Sequence, residues 1–225
     1  MNSFGRIFRL SINGESHGKG VGILIDGVPP GIEINKEDFS ADLKRRKGGK
    51  AGTTQRVESD IPEFLSGIYN SRSTGAPLNI FFENSDVDSK SYSESRDIPR
   101  PGHADFTALK KFGGFNDHRG GGHFSGRLTV GIVAAGVIAK KIIAEMKFEA
   151  EVIELGGEKD IKKGLEKIKG TGDSIGGIVE CKADNIPVGL GEPFFDSAES
   201  LLSHMAFSIP GIKGIELGQV SGLHK

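Results

Sequence analysis

Residues 117–127 read Asp-His-Arg-Gly-Gly-Gly-His-Phe-Ser-Gly-Arg, and an apolar run of helical length follows at once. Glycine lets a backbone adopt positive φ and approach a ligand closely, and a helix start presents unpaired N–H groups to anions. Arginine adds a forked donor that suits phosphate or carboxylate, and histidine can transfer protons near neutral pH. The stretch predicts an anion site with acid–base chemistry; a glycine-rich surface loop with solvated charges is the alternative.

The apolar run that follows predicts the central helix of the fold. From Arg127 to Lys147 the apolar residues fall almost all round the helix rather than on one stripe, which is typical of a helix buried on several sides. Shorter strands and helices surround it without regular β-α-β periodicity, and residues 209–217 read as a further strand. Because glycine-rich turns favour antiparallel pairing, the sequence predicts an α+β fold.

The amino-acid composition and net charge exclude several classes of protein. The 29 Lys and Arg residues nearly balance the 30 Asp and Glu residues, so no overall field indicates a nucleic-acid or membrane partner. The 34 glycines among 225 residues follow no repeat, which excludes collagen and low-complexity chains. A single cysteine, Cys181, reads as a buried thiol of a reducing compartment. With no apolar run long enough for a signal peptide or membrane span, we expect a cytoplasmic protein.

Residues 14–18, Gly-Glu-Ser-His-Gly, form a second motif with candidate chemistry. They match the G-x-S-x-G pattern of a hydrolase nucleophile elbow, which requires a helix directly after the serine. Residues 19–26 are instead β-branched and interrupted by glycine, which predicts a strand. We therefore interpret the motif as a hairpin-like turn that presents His17, and reject Ser16 as a nucleophile.

Positive charge is concentrated at residues 44–56, where six cations fall within thirteen residues. The five cations up to Lys50 end a predicted helix, and Arg56 follows a little further on. The predicted start of that helix is Asn35, with Asp38 placed to complete a capping box. Cations favour a helix C-terminus for dipole reasons alone, so a solvated face is the alternative. In a chain of net charge −1, their density favours an anion-binding patch. Residues 100–105, Arg-Pro-Gly-His-Ala-Asp, present a further histidine in a similar setting.

Taken in order and spacing, these motifs closely resemble the chorismate synthase family over essentially the whole chain. The segments that carry the resemblance are residues 14–18, 26–31, 42–46, 53–56, 100–105, 119–122, 172–176, 189–193 and 208–216. The family's fold is a β-α-β sandwich with helices between two mostly antiparallel sheets, and its members assemble as homotetramers. The resemblance therefore implies that architecture for this chain.

The activity implied by the resemblance is the last step of the shikimate pathway of aromatic amino acid biosynthesis. In that step, anti-1,4-elimination of phosphate converts 5-enolpyruvylshikimate 3-phosphate into chorismate. The reaction needs reduced FMN (FMNH2) although it is redox-neutral overall, and some members reduce the flavin themselves with NADPH. The resemblance implies a small-molecule substrate and no metal, nucleic acid or membrane partner.

The resemblance also assigns residues to the site. It implies catalytic roles for His17, which would protonate the departing phosphate, and for His103, which would serve the reduced flavin. Substrate contacts are implied at Ser16, Arg46, Arg56, Arg100 and Arg127. FMN contacts are implied at His123, Phe124 and Ser125, and NADP contacts at Arg46 and Lys50. Many members read Arg-Ser-Ser-Ala-Arg at 123–127 and carry an arginine where this chain has Ala51.

Family members run well past the position of Lys225. We therefore expect residues 1–225 to form a single chorismate synthase domain truncated at its C-terminal end. The alternative to an active enzyme is a catalytically incomplete fragment that binds phosphate or nucleotide through its arginines but does not turn over.

Overall fold

The computed structural model describes residues 2–49, 52–54, 56–87, 92 and 98–218. The chain divides into two compact units, Met1–Asp184 and Asn185–Lys225. The first unit contains the sheets and the motifs at residues 14–18, 44–56, 100–105 and 117–127. The second consists of a short 3-10 turn at Phe194–Asp196 and helix α5 (Ala198–Phe207).

The first unit is built on a five-stranded antiparallel sheet. Its strands are β1 (Ser3–Phe4), β2 (Arg9–Gly14), β3 (Gly20–Asp26), β4 (Glu63–Ser66) and β7 (Leu78–Glu83), in the order β1-β2-β3-β7-β4. Along the chain, β4 and β7 are separated by a small antiparallel pair that forms a second sheet, β5 (Ile68–Tyr69) and β6 (Arg72–Ser73). A third sheet pairs β8 (Lys147–Leu155) with β9 (Gly177–Asp184).

Strands β2 and β3 form the hairpin predicted from the Gly-Glu-Ser-His-Gly motif. Their register ends with Gly14 opposite Val21. Gly14 has φ +98°, and a Cβ there would lie 2.2 Å from the Gly20 carbonyl oxygen, so the turn requires glycine at this position. Because a strand follows Gly18, the motif lacks the helix of a hydrolase elbow, and the hairpin interpretation is confirmed.

Helix α3 (Thr129–Ile142) lies across the sheet and closes the core. Alternation along β3 turns Val21, Ile23 and Ile25 inward, each fully buried. The helix buries residues on several sides, as its sequence predicts: Val130, Gly131, Ala134, Ala135, Val137 and Ile138. It ends five residues earlier than predicted, because a turn after Ile143 leads the chain into β8.

Helix α1 (Ser40–Arg46) continues from a 3-10 turn at Lys36–Phe39. The Asn35 N–H donates to Asp38 Oδ2 at 2.7 Å, the contact expected of a capping box. Phe39 and Leu43 are buried in the core, which fixes the rotation of the helix. Its cationic last turn is thereby placed beside the start of α3.

Three other features complete the description. Helix α2 (Asp105–Lys111) follows the Arg-Pro-Gly-His motif and was not predicted. Helix α4 (Ile161–Ile168), capped by Asp160, packs on β8. No helix among the described residues is long and apolar enough to cross a membrane.

Two sequence-based expectations are wrong. Cys181 is exposed rather than buried, because it lies in a two-stranded sheet that covers its side chain little. Residues 209–217 form no strand in the described structure. Pro210, which has no backbone N–H, and the glycines that follow it are poor strand formers.

Candidate functional site: a buried arginine cleft

A cleft of about 370 Å³ lies between the end of α1 and the start of α3. We call it the arginine cleft. Its charged lining comprises the cations Arg46, Lys47, Arg56 and Arg127 and the carboxylates Glu58 and Asp60. Hydroxyl and backbone groups complete the lining at Gly48, Thr54, Ser125, Gly126 and Thr129. The cleft therefore has an excess of positive charge and many hydrogen-bond donors, which suits an anion.

The Asp60 carboxylate joins two of these arginines. One oxygen accepts from Arg127 Nη1, and the other lies 3.1 Å from Arg46 Nη1. Asp60 and Arg127 are only 3% and 5% exposed. An unpaired charge at that depth would be costly, so the shared carboxylate allows two guanidinium groups to lie side by side in the interior.

Arg46 connects α1 to the residues that precede α3. Besides Asp60, its guanidinium donates to the carbonyls of Gly126 and Arg127 and to Thr129 Oγ1. Burial lowers the pKa of Arg46, Asp60 opposes that effect, and the nearby Arg127 reinforces it. Arginine remains protonated regardless, so Arg46 keeps a positive charge at the cleft.

Arg56 links the cleft to the turn that carries His17. Its Nη1 donates to Ser16 Oγ at 2.7 Å and its Nη2 to the Ser16 carbonyl at 2.9 Å. Glu58 holds the same guanidinium, with Oε1 2.9 Å from Nε and 2.6 Å from Nη2. The other Glu58 oxygen accepts from the N–H and hydroxyl of Ser85 and from the Asp86 N–H.

These hydrogen bonds decide the charge of Glu58. Burial disfavours its ionised form, but the bonds from Ser85, Arg56 and Asp86 outweigh burial and lower the pKa of Glu58 to about 2. The carboxylate is therefore negative throughout the physiological pH range. It therefore orients Arg56 as a charged partner.

The His17 turn is held directly beneath the glycine-rich stretch. Ser16 and His17 are 1% and 8% exposed, and the Ser16 N–H donates to the Gly122 carbonyl at 3.1 Å. A Cβ on Gly120 would lie 2.4 Å from His17 Cδ2, so only glycine permits this approach. The Tyr92 ring meets the imidazole edge-on, with centroids 5.0 Å apart.

The three successive glycines adopt a conformation that other residues rarely take. Gly120, Gly121 and Gly122 have φ values of +59°, +81° and +55°. A Cβ on Gly122 would lie 2.0 Å from the Asp117 carbonyl oxygen. Residues 120–122 therefore fold back against the turn at 15–18, in which Ser16 contacts Arg56 of the arginine cleft.

The Arg100 motif forms a separate part of the site. Arg100 binds Asp105 through two hydrogen bonds of 2.8 and 2.9 Å, and its Cζ lies 5.1 Å from the centre of the Tyr92 ring. The bonds from Arg100 lower the pKa of Asp105 against the opposing effect of burial. His103 lies on the exposed turn between them, with its N–H directed to the Arg100 carbonyl.

The residues predicted to contact flavin differ in their surroundings. His123 Nδ1 lies 2.8 Å from the Gly14 carbonyl oxygen, and Nε2 lies 3.1 Å from Asn2 Oδ1. The imidazole therefore contacts the last residue of β2. Phe124 is 39% exposed. Ser125 Oγ accepts from the Arg127 N–H at 3.3 Å and lines the cleft. Lys50 lies outside the described residues.

Three residues of the site were missed by sequence reasoning: Glu58, Asp60 and Asn84. Asn84 bridges the His17 turn to Arg127. The alternation Arg-Val-Glu-Ser-Asp at 56–60 was the available signal for the two carboxylates, because it places three charged side chains on one side of an extended segment. No comparable signal marks Asn84.

A family model described as chorismate synthase matches residues 8–225. The chain belongs to the chorismate synthase family. A chorismate synthase of Chitinophaga pinensis is 57% identical over 219 residues, which cover 97% of this chain and 66% of that protein. One of Thermococcus kodakarensis is 43% identical over 244 residues, covering 97% of this chain and 69% of that protein.

The fold agrees with that family assignment. A crystal structure of a chorismate synthase matches with a TM-score of 0.73 at 26% identity, over 95% of this chain and 68% of that one. The predicted α+β fold of the chorismate synthase type is thereby confirmed. The chain spans about two thirds of the length of these relatives.

We expect Gly120→Ala to displace His17, because the new methyl group would overlap the imidazole and the φ of +59° strains any side chain. The His17 ring resonances should shift, and the melting temperature should fall. Gly136→Ala is the matched control, since Gly136 lies within α3 and a Cβ there would meet no atom within 4 Å beyond its own helix backbone. Wild-type His17 resonances in the Gly120 variant would contradict this packing.

Glu58→Gln should destabilise the fold at neutral pH by about 2 kcal/mol, because the native hydrogen bonds stabilise the ionised carboxylate, which glutamine lacks. A pKa lowered from 4.5 to about 2 contributes stability above pH 4.5 that is lost as pH falls toward 2. Urea unfolding at several pH values should therefore show the wild-type advantage shrinking below pH 4.5. Glu63→Gln, on exposed β4, is the control; an advantage independent of pH would refute the assignment.

Proposed function

We propose that this chain carries out the chorismate synthase reaction, the anti-1,4-elimination of phosphate from 5-enolpyruvylshikimate 3-phosphate. The observation that carries the proposal is one cleft lined by Arg46, Arg56 and Arg127, with Arg56 hydrogen-bonded to Ser16 next to His17. Family membership and the names of the relatives support it. The product would be chorismate, and the enzyme a carbon–oxygen lyase.

The charge of the arginine cleft suits this substrate. Four cations face two carboxylates in the lining, and both carboxylates are already bound by arginines. The substrate bears a phosphate and two carboxylates, each of which accepts the forked donors of a guanidinium. Arg46, Arg56 and Arg127 would hold these groups in place before the reaction, so little reorganisation is needed as charge moves to the phosphate.

His17 is the proposed acid. Histidine is the residue type whose proton can be exchanged near neutral pH, and general acid catalysis contributes about 10²–10⁴-fold in rate. The imidazole is nearly buried between residues 120–122 and Tyr92. Ser16 would contact substrate through its hydroxyl, which Arg56 already orients. Loss of phosphate would then be assisted by a proton from His17.

Reduced FMN would be held at the edge of the cleft by Phe124 and Ser125. The exposed Phe124 ring offers an apolar surface, and Ser125 lines the cleft. His123 would support them indirectly, since its ring nitrogens face Gly14 and Asn2. When bound, the flavin supplies the reduced cofactor that the family requires for the elimination. His103, on its exposed turn, would hold or move a proton at the flavin.

NADP would contact Arg46, which lines the arginine cleft, and Lys50, which lies outside the described residues. All three guanidinium nitrogens of Arg46 donate to Asp60, Thr129 or the carbonyls at 126–127. These bonds fix the Arg46 guanidinium in the lining of the arginine cleft, where its charge would face an anionic group of the substrate or of NADP. Arg100, which lies beside Tyr92, would contribute positive charge on the His17 side.

A homotetramer in the cytoplasm is the proposed setting.

A phosphate-binding fragment without turnover is the second candidate. The observation that favours it is length, because the chain spans only 66% of its relative from Chitinophaga pinensis. An anaerobic assay of the purified chain with the substrate and photoreduced FMN separates the two, with chorismate absorbance and phosphate release followed together. Turnover supports the enzyme, whereas substrate binding without turnover supports the fragment.

His17→Ala should lower kcat by about 10²–10⁴-fold with little change in KM, because the acid is lost and the arginines remain. The same anaerobic assay measures both constants. His204→Ala is the control, since His204 lies on the exposed surface of α5. If His17→Ala kept most of its turnover, the assignment of His17 as the acid would be wrong.

A further inference from the structure

Asn84 is the first residue after β7, at the point where the sequence becomes polar. Its side-chain amide faces the turn that carries His17. Nδ2 lies 3.0 Å from the carbonyl oxygens of Glu15 and Ser16 and 2.9 Å from that of Gly18. Its backbone N–H donates to the Lys19 carbonyl at 3.0 Å. Asn84 thus contacts four of the five carbonyl oxygens of residues 15–19.

The other end of the same amide faces the arginine cleft. Asn84 Oδ1 accepts from Arg127 Nε at 2.9 Å. The remaining Arg127 donors go to Asp60 and to the Glu83 carbonyl. Nε therefore fixes the plane of the guanidinium relative to the turn. The His17 turn and Arg127 are joined through a single carboxamide.

The Asn84 carboxamide satisfies both sides. The turn presents acceptors and Arg127 presents a donor, so the bridging group must donate at one end and accept at the other. An aspartate of the same shape could accept from Arg127 but would place negative charge against three carbonyl oxygens. An aliphatic side chain would leave both sides unpaired. The position therefore requires a side chain that donates to the turn and accepts from Arg127, and asparagine provides both groups.

We propose that Asn84 is a positioning residue that fixes His17 relative to Arg127. It holds the residues on either side of His17, while Gly120 lies close to the Cδ2 and Nε2 atoms of the imidazole. Asn84 is half-buried and is not among the residues that line the cleft, so it acts through the two groups it joins. The inference rests on the proposed function, in which His17 is the acid and Arg127 binds an anionic group.

The test compares Asn84→Asp with Asn79→Asp in the whole chain. Asn79 lies on β7, the strand that Asn84 follows, and is paired with the partly exposed Leu24 on the outer face of the sheet, so it controls for the added charge. The first measurement does not depend on activity. NMR gives the chemical shifts of the His17 ring and the hydrogen-exchange rates of the Ser16 and Gly18 amides. The other is kcat and KM in the anaerobic assay.

In Asn84→Asp the Ser16 and Gly18 amides should exchange about tenfold faster or more, because the turn loses the donor that holds its carbonyls. The His17 ring resonances should shift, and kcat should fall about tenfold or more while KM stays within about twofold. Asn79→Asp should match wild type. A purely structural role predicts lower stability with unchanged kcat in the folded protein.

The two proposals fail in distinguishable ways. Unchanged amide exchange and His17 resonances in Asn84→Asp would overturn the positioning role, whatever the activity. A wild-type kcat in that variant would overturn it as well. If wild type itself shows no turnover but the exchange and resonance changes occur, the proposed function fails and the positioning role stands. Should Asn84→Asp not fold, Asn84→Ala is measured by the same criteria.

Discussion

The sharing of one buried carboxylate, Asp60, between Arg46 and Arg127 is the interaction on which the rest of the site depends. Arg46 ends α1 and Arg127 precedes α3, so the ion pairs join two elements of the core at their charged ends. Two guanidinium groups would otherwise repel each other in a poorly solvated interior. The carboxylate makes their proximity tolerable and leaves an excess of positive charge facing the cleft.

The same arrangement recurs at Arg56, which Glu58 holds against the His17 turn. In both cases an acid orients an arginine without removing its charge. Arginines held in this way need not be reorganised when an anion binds, which is the condition for electrostatic stabilisation of a departing phosphate. Gly120 lets its backbone pack directly against the His17 ring, in the turn that Arg56 contacts. The site therefore combines fixed positive charge with a nearly buried histidine.

The sequence was sufficient for features that depend on local backbone chemistry. Positive φ at 120–122, the hairpin around His17 and the central helix all follow from glycine placement and hydrophobic periodicity. Asp60 and Asn84 could not be predicted in this way, since their partners lie 67 and 68 residues away along the chain at Arg127 and Ser16. Their roles exist only once α3 has packed on the sheet.

The most direct measurement is a crystal structure of this chain with 5-enolpyruvylshikimate 3-phosphate and FMN. The account predicts that the anionic groups of the substrate contact Arg46, Arg56 and Arg127, with a phosphate oxygen within hydrogen-bond distance of His17. It also predicts that Asp60 and Glu58 keep their present arginine partners. A substrate bound away from the arginine cleft, or a His17 ring turned from the phosphate, would contradict it.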